Sequence, residues 1–386
     1  MKILFFISVH GHGRGGHFHS LNHISRKIGE RHDVKIISFG PGRSDIIKAN
    51  PYFLYHINFN GLNFFPLKRI IQNENKSFKP DIYHCFDVES YNIIRLIISA
   101  RKNKIVINKC GGPNQRYFPH VNNIILFSKE NEEWFKTKNR FKHSNIQLVP
   151  NRVKSLNLDP EFYPIEKIPT EFVFMRICRI GHTYKKSIKD TTNLISKLLA
   201  RGLMNIKLYI IGVVEDISYF AELVNSELVE KNIVVFLTES QFTNEASKML
   251  YLADVVVGSG RGLMEAASLR KPVLAIDKYG EIPVLLDEIY FKDAFNTNFS
   301  ERNYFGELNQ EENLDRIIRL VQDKNYYSEI SAFAFSCFEN YFSVERVSDA
   351  YPTIYKKSKK GERKILADSI LILKSVYNFC RNSLSF

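Results

Sequence analysis

The stretch Val255-Val-Val-Gly258-Ser-Gly260-Arg261-Gly262-Leu263-Met-Glu265-Ala-Ala-Ser-Leu-Arg-Lys-Pro272-Val-Leu-Ala275 holds the fold in miniature. Three β-branched residues make a buried strand. The Gly/Ser loop lets the backbone turn and approach a ligand. The run from 262 to 268 starts a helix, and Pro272 stands before a second strand. Strand, helix and strand in this order form a parallel βαβ unit.

Outward from this unit the alternation repeats. Toward the N-terminus come strands at 172–178, 207–211 and 233–236, with helices at 191–200, 218–230 and 245–252. Still earlier lie strands at 2–9, 34–39, 81–85, 105–108 and 123–127, with helices at 20–31 and 91–100. Such strands need no polar alternation, because helices cover both sheet faces. The segment 158–170 breaks the pattern with Pro160, Pro164 and Pro169 among charged residues, and reads as a linker. The predicted organisation is α/β. A first domain spans 1–157, the linker 158–170 and a second domain 171–335. A helix at 336–352 and a basic amphipathic tail at 353–386 follow. Runs at 313–321 and 329–342 also read as helical.

The bulk composition fits two cores. With 386 residues, 44% hydrophobic and 25% charged, the chain is too long for one ordinary domain and too apolar for disorder. A net charge of +13 favours anionic partners. No Lys/Arg run accompanies a zinc-finger or RNP motif, so phosphorylated small molecules and membrane surface rank above nucleic acid. The five cysteines are odd in number and show no CxxC spacing, which points to a reducing compartment without structural zinc. The opening MKILFFISVHGHGRGG has an apolar run at the bottom of the signal-peptide range with no A-x-A site after it, and reads better as a first buried strand.

Three constellations carry chemistry. The first is Gly11-His-Gly13-Arg-Gly15-Gly16, between a strand and a helix. It satisfies G-x-G-x-x-G, yet the second strand ends Phe39-Gly40-Pro41 without the carboxylate a NAD ribose requires. The loop still suits an anion at the helix N-terminus; the plain alternative is a tight turn. His10, His12, His17, His19 and His23 crowd it, and without Asp or Cys partners they read as polar contacts to sugar or phosphate rather than metal ligands.

The second constellation is Arg176-Ile-Cys-Arg179-Ile-Gly181-His-Thr-Tyr-Lys185-Lys186-Ser187, where fixed cations at the mouth of a helix suit a diphosphate. Solvated basic residues at a strand end are the alternative. The third is the opening stretch itself. Gly260, Arg261, Gly262 and Leu263 offer a helix N-terminus to phosphate, and Glu265 can accept two ribose hydroxyls. Alternatively Glu265 only complements the helix dipole.

Together these pieces resemble the GT-B glycosyltransferases, and within them the large retaining family 4. The resemblance covers residues 1–352. Gly15-Gly16 looks like the family's GG loop and Pro80-Asp-Ile-Tyr-His84 like its PDIVH strand. Phe127-Ser128 followed by Val149-Pro150-Asn151-Arg152-Val153 looks like its S…IPNGV approach to the linker. Arg179 with Lys185 or Lys186 looks like its R…K pair. Lys207 to Gly212 looks like LxIxG. Met264-Glu265-Ala266 with Lys271-Pro272-Val273 looks like EAMAxGxPV, and Phe342-Ser343 onward to Tyr355 like the helix crossing back to the first domain. Three departures stand out. Val257 occupies the place of the family's first glutamate, Asn151 is followed by Arg152, and the R…K spacing is longer by one residue or two.

The resemblance implies two Rossmann-like doubly wound domains facing across a cleft, and transfer of a hexosyl or N-acetylhexosaminyl group from a UDP-sugar with retention. Arg179, Lys185 and Lys186 would stabilise the leaving diphosphate. Gly15, Gly16, Gly260, Arg261, Gly262, Leu263 and Glu265 would hold the nucleotide-sugar. The acceptor, a saccharide or lipid-linked saccharide of a surface polysaccharide such as lipopolysaccharide or capsule, would lie near His17, His19, Gly111, Gly112 and Asn114. No cofactor or metal is expected. The expected place is the cytoplasm, at the inner face of the membrane if the tail binds it. That tail carries eight Lys/Arg (356, 357, 359, 360, 363, 364, 374, 381) against Glu362 and Asp368. Its apolar part predicts a helix with Leu366, Ile370, Leu373, Tyr377 and Cys380 near one face, widened by Ile372, Val376 and Phe379. A helix simply packed on the first domain is the competing expectation. A sugar-nucleotide epimerase of the same fold, or a non-catalytic partner subunit, are the alternative functions.

Overall fold

A computed structural model describes residues 1–158, 164–306, 308–362 and 364–384. Pro160 and Arg363 lie outside the described residues. The chain divides into two compact units, Met1–Arg152 with Val344–Phe386, and Val153–Ser343. The linker expected at 158–170 falls beyond this division. Val153 already donates its N–H to Phe342 O (2.8 Å) and bridges Ser343, which ties it to the second unit.

The first unit holds seven strands: β1 (Lys2–Ser8), β2 (Asp33–Gly40), β3 (Phe53–Asn58), β4 (Ile82–Cys85), β5 (Lys104–Lys109), β6 (Asn123–Leu126) and β7 (Asn145–Leu148). They pair in parallel in the order β3-β2-β1-β4-β5-β6-β7. Ile3 to Ile7 of β1 are fully buried, as a central strand covered on both faces requires. The sequence did not show β3 or β7. The first reads Phe-Leu-Tyr-His-Ile-Asn on a sheet edge, with a register shift against β2 and Leu54 exposed. The second is four half-buried residues on the other edge. Edge strands lack the apolar run that marks a central one.

Two C-terminal elements complete this unit. Helix Val347–Lys357 buries Tyr351 and Tyr355, and the Tyr355 hydroxyl bonds His84 Nδ1 of β4 at 2.8 Å. Helix Ser369–Ser383 packs Ile372, Ser375 and Phe379 inward, with Phe379 against Phe39 and Phe59. At its head, Asp368 is fully buried. It accepts from Arg95 Nη1 (2.5 Å), the His120 N–H (2.8 Å) and Arg140 Nη2. Burial alone would raise this carboxyl. Bonding and charge from Arg95, with help from His120, win and hold it below the usual carboxylate range. The tail therefore docks on the first domain.

The second unit holds β8 (Phe172–Ile177), β9 (Ile206–Ile211), β10 (Val234–Leu237), β11 (Val255–Gly258), β12 (Val273–Ala275) and β13 (Val284–Leu285). Their order is β10-β9-β8-β11-β12-β13, parallel except for the last pair. The helix expected over 218–230 is two helices, Ile217–Val224 and Glu227–Glu230, the second opening at Ser226. The helix expected over 245–252 is a 3-10 turn, Ala246–Tyr251, and the one at 329–342 ends in a π-turn, Phe338–Phe342. The two-residue β13 has too few residues to leave a pattern.

Candidate functional site

Strand order reverses between β8 and β11 in the second unit. Ligands of open α/β sheets bind beyond the carboxyl ends of strands at such a switch point. The loop after β8 carries Arg179, and the loop after β11 carries Ser259 and Gly260 and opens helix Arg261–Ser268. Two constellations separated by about 80 residues of chain thus leave from neighbouring strands. Gly260 caps this helix at φ +59°, a conformation that L side chains rarely adopt, and no side chain caps its first N–H groups.

The cations differ in what they already hold. Arg179 is 57% exposed, donates Nη1 to Glu215 Oε1 (2.8 Å) and lies over the Tyr184 ring. Lys185 opens helix Lys185–Ala200, 3.6 Å from Glu222 and over the Tyr219 ring. Lys186 spends its three donors on Asp190 Oδ2 (2.5 Å), Gly280 O (2.8 Å) and Asp277 O (3.1 Å). Of the two lysines, Lys185 is the one with donors to spare.

Glu265 is buried and held at both oxygens. Oε1 accepts from Arg261 Nε (2.7 Å) and lies 2.6 Å from its Nη2 as an ion pair, and Oε2 accepts from Ser247 Oγ (2.7 Å). A carboxylate offers about four lone-pair sites, so room for a ribose hydroxyl remains. The Arg261–Glu265 pair was missed in the sequence, although a four-residue spacing on a helix permits it. Beneath the loop, buried Arg176 donates Nη2 to Ser187 Oγ (2.6 Å) and to Glu301 Oε1 (3.3 Å). Ser259 Oγ bonds the same Oε1 at 2.9 Å. Glu301 therefore ties the end of β8 to the glycine loop. It lies far along the chain in an irregular segment, where no spacing rule reaches.

The first unit has its own switch point, between β1 and β4. Asp87 accepts from the Ser8 N–H and Oγ (2.8 Å each) and from the Ser90 N–H (2.6 Å), capping helix Val88–Ile97. Beside it opens a cavity of about 1240 Å³, lined among others by His10, His17, Asp87, Glu89 and Arg116, with the C-terminal helix as one wall. His10 Nε2 pairs with Glu89 Oε2. Burial holds the His17 imidazole below its usual range, partly opposed by Asp87, which leaves a neutral ring able to donate and accept.

Of the residues expected on this side, His17 lines the cavity. His19, Gly111, Gly112 and Asn114 do not. Lys109 Nζ binds the carbonyls of Gly111 (2.7 Å) and Gly112 (3.0 Å), and Asn131 Nδ2 binds Asn114 Oδ1 (2.8 Å). The loop's continuation, Gln115 to Tyr117, reaches the cavity instead. Gly15 and Gly16 open helix Gly16–Gly29 with no side-chain cap, while Gly13 is required by packing, since a Cβ there would sit 2.4 Å from Ser44 Cβ. No group of three His, Cys, Asp or Glu that could hold a metal occurs among the described residues.

No family model and no curated protein matches the chain. Solved structures do. A glycosyltransferase from Rickettsia africae superposes with a TM-score of 0.68 at 16% identity, over 92% of this chain and 98% of that one. HepE from Anabaena in complex with UDP gives 0.63 at 14%, over 92% and 100%. UDP-GlcNAc 2-epimerase from Neisseria meningitidis bound to UDP-GlcNAc gives 0.54 at 11%, over 93% and 100%. The chain has the GT-B fold, two Rossmann-like α/β domains.

Proposed function

We propose that this protein is a glycosyltransferase that moves a hexosyl or N-acetylhexosaminyl group from a UDP-sugar to a saccharide or lipid-linked acceptor in surface-polysaccharide synthesis. The observation that carries this reading is that the Arg179 loop and the Gly260-capped helix leave the paired strands β8 and β11, with buried Glu265 in that helix. The UDP held in the Anabaena HepE structure supports a uridine diphosphate as the donor's leaving group.

The bond from the anomeric carbon to the diphosphate oxygen breaks while negative charge grows on the diphosphate. Arg179 and Lys185 stabilise that charge, and the uncapped N–H groups at Gly262 and Leu263 add to it. Lys186 braces the loop at Gly280. The acceptor hydroxyl bonds the same face of the anomeric carbon, and its proton passes to the leaving diphosphate oxygen, so configuration is retained and no protein base or metal is needed. The acceptor binds on the first unit, in the cavity at His17. The reaction takes place in the cytoplasm, at the inner membrane face.

Purified protein incubated with UDP-sugar donors and membrane extract should release UDP and label a saccharide or lipid product. A sugar-nucleotide epimerase is a second reading, favoured by the His10–Glu89 pair and by His17 near Asp87. It predicts an altered donor in the absence of any acceptor.

A further inference from the structure

The C-terminal helix Ser369–Ser383 presents three faces. At 100° per residue, Ile372, Ser375 and Phe379 share the inward face, which is buried. One flank, with Leu371, Lys374 and Asn378, walls the cavity of the first unit. The outward face carries Ile370, Leu373 and Tyr377, which are 79%, 66% and 62% exposed, and Leu366 precedes them at 91%.

More exposed apolar surface adjoins this row. The loop at Gly61 packs so closely on the helix that a Cβ there would sit 2.7 Å from Cys380 Sγ; that loop carries exposed Leu62, and exposed Phe65 lies in the first turn of the following helix, Phe64–Phe78. An apolar row of this kind, left bare on a charged chain, marks a contact surface.

The charge beside the row says what covers it. Lys356, Lys357, Lys359, Lys360 and Lys364 are exposed just before the helix, and Lys374 is exposed within it. This basic stretch is fixed in place. The Lys359 N–H donates to Asn123 Oδ1 (2.8 Å), Asn123 Nδ2 donates to Lys359 O (2.8 Å), and the Gly361 N–H donates to Ala100 O (3.0 Å). Apolar side chains beside lysines on an anchored backbone match the boundary of an anionic bilayer, where the former enter the acyl region and the latter meet head-group phosphates.

We infer that the outward row of the C-terminal helix seats the first unit on an anionic lipid bilayer, and that the cavity walled by the same helix takes its acceptor from that bilayer as a lipid-linked phosphate. The inference rests on the acceptor reading of that cavity. Arg116 and Lys374 on the lining supply the phosphate's counter-charge, while His17 and the His10–Glu89 pair face the saccharide.

The test uses the full chain and Leu366→Gln/Leu373→Gln/Tyr377→Gln, whose altered residues lie on the surface and outside the cavity lining. Each is mixed with vesicles of phosphatidylglycerol and phosphatidylcholine, or of phosphatidylcholine alone, at low and high salt. The native chain should co-sediment with the anionic vesicles at low salt and be released at high salt. The triple variant should bind at least about tenfold less, with UDP-dependent thermal stabilisation unchanged. Doping the vesicles with a long-chain polyprenyl phosphate should slow hydrogen exchange over 8–18 and 115–117. Equal vesicle binding by the variant, or none by the native chain, overturns the bilayer contact, as does a dimer in solution that the variant abolishes. Exchange indifferent to the polyprenyl phosphate overturns the acceptor class. Loss of UDP stabilisation with vesicle binding intact would instead sink the proposed function and leave the surface standing.

Discussion

Arg261 grips Glu265 through two nitrogens, Nε at 2.7 Å and Nη2 at 2.6 Å, both on Oε1. The pair fixes a buried carboxylate in the helix that opens at Gly260. Glu265→Gln should weaken UDP binding by ~1.5–3 kcal/mol, the range for a hydrogen bond to a charged group. Calorimetric titration measures this. Unchanged affinity would confine Glu265 to holding Arg261.

Arg179 is mostly in solvent, and among the described residues its ionic partner is the exposed Glu215. Its removal should therefore cost the fold little. Arg179→Ala should lower kcat at least about a hundredfold, the scale of losing one donor aimed at developing charge. Thermal unfolding run alongside should show the native midpoint. Near-native turnover would place the diphosphate elsewhere.

Donor turnover should survive excess EDTA. In the proposed mechanism Arg179, Lys185 and a helix N-terminus meet the charge that Mg²⁺ would otherwise offset at a site of oxygen ligands. Complete loss of activity, restored by Mg²⁺, would contradict the mechanism and reopen the histidine-rich loop.

His84 gives the first unit an acid limit. Burial pushes its imidazole down to about 3, whereas the unfolded chain protonates it near 6.5. Below pH ~6.5 the unfolded state binds the extra proton, so the stability is complete above that pH and falls as pH drops toward about 3. At pH 5 the loss should be about 2 kcal/mol. Urea unfolding followed by the fluorescence of Trp134, the chain's single tryptophan, reports on this unit. His84→Gln should flatten the dependence between pH 7.5 and 5. An equally steep variant would assign the acid sensitivity to other groups.

The double α/β alternation was legible because central parallel strands such as β1 and β11 are uninterrupted apolar runs. Edge strands β3 and β7 were not, since one side of each is half exposed. Arg179, Lys185, Lys186 and Glu265 stood out by their place after strands, and the structure puts Arg179 and Glu265 on loops and helices leaving adjacent strands. What each cation already binds was invisible, because Gly280 O and Glu215 reach Lys186 and Arg179 through tertiary folding. Likewise no local pattern could join Arg95 and His120 to Asp368, more than two hundred positions away, and that junction is what docks the tail. The tail's amphipathic pattern showed Leu366, Ile370, Leu373 and Tyr377 sharing a face. It could not show that Ile372 and Phe379 would be the side to pack.

The proposed function requires the β8/β11 switch point to bind a nucleoside diphosphate through Arg179. UDP, GDP, ADP and CMP titrated calorimetrically into the native chain and Arg179→Ala test it most directly. The native chain should bind UDP saturably and CMP little, with affinity for UDP falling by ~1.5–3 kcal/mol in the variant. No binding of any diphosphate, or identical UDP affinity in the two proteins, would contradict it.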